Sequence, residues 1–266
     1  MGGQARGRGA GRVKRQQVEA EDGWTVITHG LSNMSLAKGK KKDNEQAAGS
    51  LPTKSVDGLT PEKLLADFKK LQERWEDTAL AHQMADLMAR RKWNVGHAVC
   101  IGIGSFSRDW AHRWRSLWQL VLFIAIIDHL KQSDPNSELK EYAQEPAFTT
   151  LDVEFLGLLG VAVVDSDVQA HITETSFVYS PFVDWYLLLP TFLVGKNPAL
   201  YVGNEILDDY TPYAQTEEKQ ARLAECNGLG KAFLGVREKA RLGDFEAHGS
   251  ALQGMVVYWK AEGGCG

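Results

Sequence analysis

Residues 99–107 read VCIGIGSFS, and this stretch decides the expected fold. A run of small apolar residues ends in the turn Gly102-Ile103-Gly104-Ser105, and a mostly apolar segment follows over residues 108–130. This order predicts a buried strand, a glycine turn and a buried helix with Ser107 as its cap. Glycine lets a ligand approach closely, and N–H groups at a helix start can hold an anion. We therefore expect the pocket of an open α/β sheet at this turn.

Short apolar segments alternate with helical patterns along the rest of the chain. Thr60-Pro61-Glu62 starts a long amphipathic helix that continues to about residue 91. Strands are also expected at residues 141–145, 161–164, 176–179, 200–203 and 255–259, and helices at residues 149–159, 183–194 and 217–226. The strand at 161–164 is typical of a sheet covered on both faces, and the one at 255–259 of a sheet edge. This alternation predicts a Rossmann-like, doubly wound, mainly parallel sheet with helices on both faces.

The charge of the chain divides it into two parts. Residues 1–57 contain ten Lys and Arg against six Asp and Glu, a net +4, so the remaining 209 residues of this −4 protein carry −8. We expect 1–57 to be a disordered basic tail and linker with one short docking strand at 24–28, and 58–266 to be a single domain. Its core motifs would lie at 99–210, followed by an extension at 211–266. Nucleic acid is expected only at the tail, if anywhere.

The cysteines and the hydropathy of the chain indicate the compartment to expect and whether a membrane segment is expected. Its three cysteines, Cys100, Cys226 and Cys265, fit neither a metal spacing nor a disulfide framework. We therefore expect a reducing compartment, the cytoplasm or the nucleus. The most apolar run, residues 117–127, is shorter than the roughly 20 residues that cross a bilayer, so no membrane segment is expected.

No catalytic set or metal site stands out. There is no GxSxG elbow, and the seven histidines lack a metal-binding spacing. The acid pairs Asp208-Asp209 and Asp165-Ser166-Asp167 are typical of solvated loops. We assign no catalytic residue and no metal ligand.

The turn has part of a dinucleotide-binding pattern. Gly102, Gly104 and Ser105 stand where a pyrophosphate is met, and Glu145 ends the next strand, where an acid binds the ribose. Ser107 replaces the third glycine of GxGxxG, and Glu145 lies about forty residues downstream instead of the usual ~20. Methyltransferases tolerate a looser turn, so a nucleotide-like cofactor stays open. The alternative is a turn that only allows close packing.

Three arginines follow the turn. Arg108, Arg113 and Arg115 lie near the start of the expected helix, where they oppose its dipole. They form either a site for an anionic ligand or a solvated basic turn.

The order of several short motifs resembles a known family. The motifs are IGIGSFS, Gln119-Leu120, Glu145-Pro146 with Phe148, Phe155-Leu156 with Gly160, SFVYSP at 176–181 and LYVGN at 200–204. Together with the lead-in at residues 22–26, they are similar to the "sensitivity to red light reduced" family, the SRR-like domain. The segment 179–209 most resembles fungal members. The residues carried over by position are Gly102, Gly104, Ser105, Gln119, Glu145, Pro146, Pro181, Gly203 and Asn204.

The resemblance implies a eukaryotic regulatory protein with protein partners. Plant members are associated with light signalling and the clock, animal members with haem biosynthesis and proliferation, and fungal members with cytoskeletal and stress phenotypes. Plant and animal members have Pro-His-Cys where this chain has Pro181-Phe182-Val183. A haem ligand is therefore not expected at this position.

Three hypotheses remain open. The first is a regulatory module that binds a small anionic or nucleotide ligand at Gly102–Ser105. The second is an enzyme with a nucleotide-derived cofactor, such as a methyltransferase, with Glu145 on the ribose and Asn204 near the substrate. The third is a protein-interaction scaffold with a purely structural turn. A formed pocket at the strand ends, with Glu145 pointing toward Gly104, would favour the second, and filled strand ends would favour the third.

Overall fold

The computed structural model describes residues 16–19, 25–28, 54–109, 112–135 and 138–261, and the chain divides into two units, Met1–Thr53 and Lys54–Gly266. In the first unit, β1 (Gln16–Glu19) pairs antiparallel with β2 (Thr25–Thr28). The β-favouring run at 24–28 thus contributes a strand, and its partner lies in the stretch expected to be disordered. The expectations for residues 1–15 and 29–53 concern chain outside the described residues.

The second unit is an α/β domain. Its strands are β3 (His97–Ile101), β4 (Lys140–Gln144), β5 (Ala162–Val163), β6 (Ser176–Ser180), β7 (Leu200–Asn204), β8 (Arg237–Arg241) and β9 (Met255–Lys260). Its α-helices are α1 (Pro61–Glu76), α2 (Ala79–Ala89), α3 (Arg113–Ser133), α4 (Thr150–Leu158), α5 (Trp185–Leu187) and α6 (Glu217–Leu234). A π-helical segment, Leu188–Leu193, continues α5, and short 3-10 turns lie at Val168–His171 and Thr211–Tyr213.

The seven strands of this domain form one sheet in the order β5-β4-β3-β6-β7-β9-β8. The first five are parallel, whereas β9 is antiparallel to both β7 and β8. The chain moves outward from β3 through β4 to β5 and then returns to place β6 on the other side of β3. This reversal makes the gap between β3 and β6 the topological switch point, where open α/β sheets bind ligands. The predicted doubly wound fold is confirmed.

Alternate side chains of the central strands enter two separate cores. Cys100 of β3, Tyr179 of β6 and Val202 of β7 pack with α1 to α4 in one large cluster. The opposite face carries Tyr201, whose ring lies 5.7 Å from that of Phe233 on α6. Helices therefore cover both faces, as the uniformly apolar strands predict.

Four expected element boundaries or positions are wrong. The first helix is two helices, because Thr78 accepts a hydrogen bond from the Ala81 N–H and starts α2. The buried helix begins at Arg113 and not at residue 108. β9 is an inner strand and not an edge strand, since β8 covers that edge of the sheet. The last helix passes through Asn227-Gly228 to Leu234, and residues 211–266 add β8 and β9 to the same sheet.

No helix in the described ranges is long and apolar enough to cross a membrane. The 21-residue helix α3 is instead buried in the core of the domain, where its apolar side chains contact strands and neighbouring helices.

Candidate functional site

The glycine turn directly follows β3 at the switch point. Gly102 and Gly104 have φ angles of 71° and 81°, in the left-handed region that residues with a side chain rarely adopt. The Gly102 N–H donates to the Gln144 carbonyl at 3.1 Å, which ties the turn to the end of β4. The predicted strand and turn are confirmed, and both glycines are required by the backbone conformation.

Glu145 extends from the end of β4 toward this turn. Its Oε2 accepts from the Gly104 N–H at 2.8 Å, and its Oε1 accepts from the Ala147 N–H at 2.9 Å. The side chain is half-buried. The structure therefore brings together Gly104 and Glu145, which are 41 positions apart in the chain.

Ser105 and Ser107 lie inside the protein, in a polar network with Asp152 of α4. All three residues are 0 % exposed. The Ser105 hydroxyl donates to Asp152 Oδ2 at 2.6 Å and accepts from the N–H groups of Ser107 and Arg108. The Ser107 hydroxyl shares a 2.7 Å hydrogen bond with the Thr149 hydroxyl. These two serines hold the loop on α4.

The prediction that Ser107 caps a helix at the turn is wrong. The residue before α3 is His112, which makes no side-chain capping bond, and Ser107 lies on the preceding loop. The Phe106 N–H donates to Asp152, and the Ser107 and Arg108 N–H groups donate to Ser105. The start of α3 therefore does not lie at the glycine turn, and the backbone donors of residues 106–108 are used by Ser105 within the loop and by Asp152 in the first turn of α4.

The three arginines have different surroundings. Arg108 donates through Nε to the Ala147 carbonyl, and Arg113 forms a 3.0 Å ion pair with Asp67. Arg115 lies with its guanidinium carbon 3.3 Å from the centre of the Phe182 ring. Burial lowers the pKa of Arg115 to about 10, so the side chain stays charged at neutral pH. Arg108 and Arg113 are thus held by polar contacts inside the protein, whereas Arg115 stacks on an aromatic ring.

The remaining carried-over residues lie at neighbouring strand ends. Asn204 ends β7 with an exposed side chain. A Cβ on Gly203 would come within 2.3 Å of the Ser180 carbonyl, so only glycine fits between β6 and β7 at this point. Pro181 follows β6, and Phe182 next to it provides the ring against which Arg115 stacks.

Sequence reasoning missed Asp152 and His248. Asp152 belongs to a capping box with Thr149, and the spacing Thr-x-x-Asp before an apolar run was the signal that could have identified it. His248, in the connection between β8 and β9, has no signal in the sequence. Within the described parts of the chain, no group of three His, Cys, Asp or Glu side chains could hold a metal ion.

Comparison with known proteins gives one informative match. The family model described as the SRR1 domain matches residues 68–259, which includes every strand of the large sheet except the last residue of β9. A search of curated proteins gives no match.

Several solved structures are distantly similar. A putative O-methyltransferase from Klebsiella pneumoniae is 10% identical with a TM-score of 0.38, covering 74% of this chain and 89% of its own. Cofactor-bound Rv0187 from MTB is also 10% identical, with a TM-score of 0.36 and coverage of 77% and 92%. A chain in the complex of the Haloferax volcanii Trm112 methyltransferase activator and the putative methyltransferase is 11% identical, with a TM-score of 0.35 and coverage of 78% and 99%.

At these scores, similarity to solved structures says nothing about activity. The family model, in contrast, covers most of the chain and includes the glycine turn, Glu145 and Asn204. The motifs between residues 101 and 204 that resembled the SRR-like family lie in the matched region, on the strands, turns and helices described above, whereas the lead-in at residues 22–26 lies outside it. This chain belongs to the SRR1 domain family.

Proposed function

We propose that the protein is a regulatory module that binds a nucleoside-like small molecule at the switch point of its sheet. The observation that carries this proposal is the 2.8 Å hydrogen bond from the Gly104 N–H to the Glu145 carboxylate. It places an acid from the second strand directly against the glycine turn of the first.

This arrangement suits a ligand with hydroxyl groups. A carboxylate at the end of the second strand is where doubly wound folds accept hydrogen bonds from ribose hydroxyls. Glu145 is half-buried at the end of the second strand, and the two left-handed glycines leave no side chain above the turn. Exposed Asn204, two strands away, could contact another part of the ligand.

The same contact also supports the second hypothesis, an enzyme with a nucleotide-derived cofactor such as S-adenosylmethionine. The two functions differ in what happens after binding. A binding module releases the ligand unchanged, whereas an enzyme converts it when an acceptor is present. Mass spectrometry of the recovered ligand after incubation with cell extract separates them.

In the regulatory proposal, protein partners in the cytoplasm or nucleus respond to the ligand-bound state. Cys100 and Cys226 are buried free thiols, a chemistry that suits a reducing compartment. The basic segment of residues 1–57 offers a separate place for partner or nucleic-acid contact.

Thermal unfolding of the full chain tests the binding proposal. The ligands are adenosine, ATP, NADH, S-adenosylmethionine, haem and inorganic phosphate. A ligand at 100 times its Kd that binds only the folded state stabilises it by about 2.7 kcal/mol. We expect at least one nucleoside-containing ligand to raise the Tm of the wild type.

Two variants complete the test, one at the site and one control on the exposed surface. Glu145→Gln keeps the side-chain shape but loses the charge and one acceptor, so the ligand-induced shift should largely disappear. Glu154→Gln, an exposed change on α4, should retain it. If no nucleoside-containing ligand shifts the wild type, the binding proposal fails and the scaffold hypothesis is left.

A further inference from the structure

Three buried polar atoms without partners belong to side chains on α3 and on the β8–β9 connection. They are Arg115 Nε, Gln119 Oε1 and His248 Nδ1. Most buried polar atoms in folded proteins have a hydrogen-bond partner, so three such exceptions on interacting side chains require an explanation.

The three residues are physically linked. Arg115 and Gln119 are four residues apart on α3, and therefore lie on the same helix face. Gln119 is fully buried and donates through Nε2 to the Ala251 carbonyl at 2.8 Å, which ties α3 to the β8–β9 connection. His248 is on that connection, and the charge of Arg115 contributes, after burial, to lowering the pKa of His248.

This cluster lies at the same edge of the sheet as the glycine turn. Arg115 stacks on Phe182, just beyond the carboxyl end of β6. The β8–β9 connection ends at Met255, which pairs with Asn204 at the carboxyl end of β7. The cluster therefore faces the switch-point region from the side of α3.

Arg115 is a partly buried cation that no described carboxylate neutralises. Its neighbour Arg113, two residues earlier, has Asp67 as an ion-pair partner. Removing a cation from water without an opposite charge is costly, so buried charges are usually paired, and the anionic group of a ligand would supply the missing partner of Arg115. Stacking on the Phe182 ring orients the guanidinium but does not replace its hydrogen-bond partners.

The glycine turn itself is a poor place for that anion. The Gly104 N–H is already bonded to the negative Glu145 carboxylate, which would repel a phosphate or carboxylate placed there. The charges at this edge are therefore divided: an acceptor stands at Glu145 and an unneutralised donor at Arg115.

We propose that Arg115, with His248, forms a subsite for the anionic group, a phosphate or carboxylate, of the ligand whose hydroxyl groups contact Glu145. This inference rests on the proposed function and names its ligand class, an anionic nucleoside derivative. Arg115 supplies charge and N–H donors, and His248 can donate a further hydrogen bond through Nδ1, whereas Gln119, whose unpartnered Oε1 is an acceptor, holds the β8–β9 connection on α3.

Titration calorimetry with the full chain tests the subsite with matched ligands. Adenosine carries no anionic group, AMP adds a phosphate, and S-adenosylmethionine adds a carboxylate. S-adenosylmethionine also carries an ammonium and a sulfonium, so AMP is the only net anion of the three. The wild type should bind at least one of the two ligands that contain an anionic group tenfold or more tightly than adenosine. Arg115→Gln should remove that preference and leave adenosine binding unchanged, whereas Arg90→Gln, an exposed arginine at the end of α2, should keep it.

The stability of the unliganded variant distinguishes a ligand-binding arginine from a structural one. Because Arg115 has no anionic partner among the described residues, Arg115→Gln should unfold at the same or a higher temperature than the wild type. A clear drop in Tm would assign Arg115 a structural role and overturn the subsite.

Comparing the ligands distinguishes the hydroxyl site at Glu145 from the anion subsite at Arg115. If adenosine, AMP and S-adenosylmethionine bind equally well in a Glu145-dependent manner, the hydroxyl site stands and the anion subsite is wrong. If inorganic pyrophosphate alone raises the Tm of the wild type but not of Arg115→Gln, the subsite stands and the nucleoside proposal is wrong. If neither AMP, S-adenosylmethionine nor pyrophosphate shows dependence on Arg115, the subsite is overturned.

Discussion

At the residue scale, the serines after the glycine turn and Asp152 of α4 have roles other than those expected from the sequence. Ser105 and Ser107 looked like ligand-facing residues, but both are buried and bonded within the loop. Asp152 Oδ1 accepts from the Phe106 N–H, and its Oδ2 accepts from the Ser105 hydroxyl and the Thr149 N–H. One carboxylate thus joins the loop to the start of α4.

We expect Asp152→Ala to destabilise the domain strongly. The change leaves two backbone N–H groups and one hydroxyl without acceptors, and each buried unsatisfied group costs about 1–3 kcal/mol. The free energy of unfolding in urea should therefore fall by about 3 kcal/mol or more. Asp244→Ala, an exposed change, serves as the control. A loss at Asp152 no larger than that at Asp244 would contradict the bracing role.

At the element scale, hydrophobic periodicity and capping residues predicted the inner strands and most helices. They did not predict elements whose formation depends on tertiary contacts, or the polar strand at the sheet edge. β3, β6 and β7 are apolar runs that a buried parallel sheet requires, and Thr60 caps α1 as Thr60-Pro61-Glu62 predicts. β8 reads REKAR and carries no apolar alternation, so nothing local marks it as a strand. Its pairing with β9 creates it.

Helix α6 illustrates the same limit. Asn227-Gly228 usually ends a helix, but here the Asn227 side chain accepts from the Tyr210 N–H and donates to Asp209, which anchors α6 to the preceding loop. Two residues later, Gly230 packs directly against the Leu207 carbonyl. These contacts with a distant segment sustain the helix through a sequence that discourages it.

Two glycines on α6 should respond to alanine with opposite signs. Gly228 is exposed, and a Cβ added there would have no neighbour within 4 Å, so Gly228→Ala should stabilise the domain by up to about 1 kcal/mol through helix propensity. At Gly230 the new Cβ would lie 2.1 Å from the Leu207 carbonyl oxygen, so Gly230→Ala should destabilise it. Urea unfolding of both variants measures the signs, and equal effects would contradict this packing.

At the scale of the whole molecule, the fold class followed from the order of strands and helices, whereas the site required the three-dimensional structure. The glycine turn and Glu145 could be proposed in advance because both end strands in a known topology. Their contact across 41 positions depends on the length of the loop and α3 between them, which no motif encodes. Arg115 and Gln119 come near the segment that carries His248 because the β8–β9 connection returns to α3, where Gln119 donates to the Ala251 carbonyl.

The two buried cysteines should report global unfolding. Burial raises the pKa of Cys100 well above its usual range and that of Cys226 to about 11, so little reactive thiolate forms at pH 8. In a Cys265→Ser variant, we expect iodoacetamide to label neither thiol in native buffer and both after urea unfolding. Rapid native labelling of Cys100, in the central strand, would contradict the core described above.

The two ends of the large sheet limit how this protein can meet others. One outer strand, β5, has only two residues, and the other, β8, presents a largely charged sequence whose Lys239 and Arg241 pair with Glu205. Short and charged borders resist strand addition from another chain and hence runaway assembly. Under the proposed function, a partner would therefore recognise side chains on the helical surfaces or at the carboxyl edge of the sheet, where a bound small molecule would alter what the partner encounters.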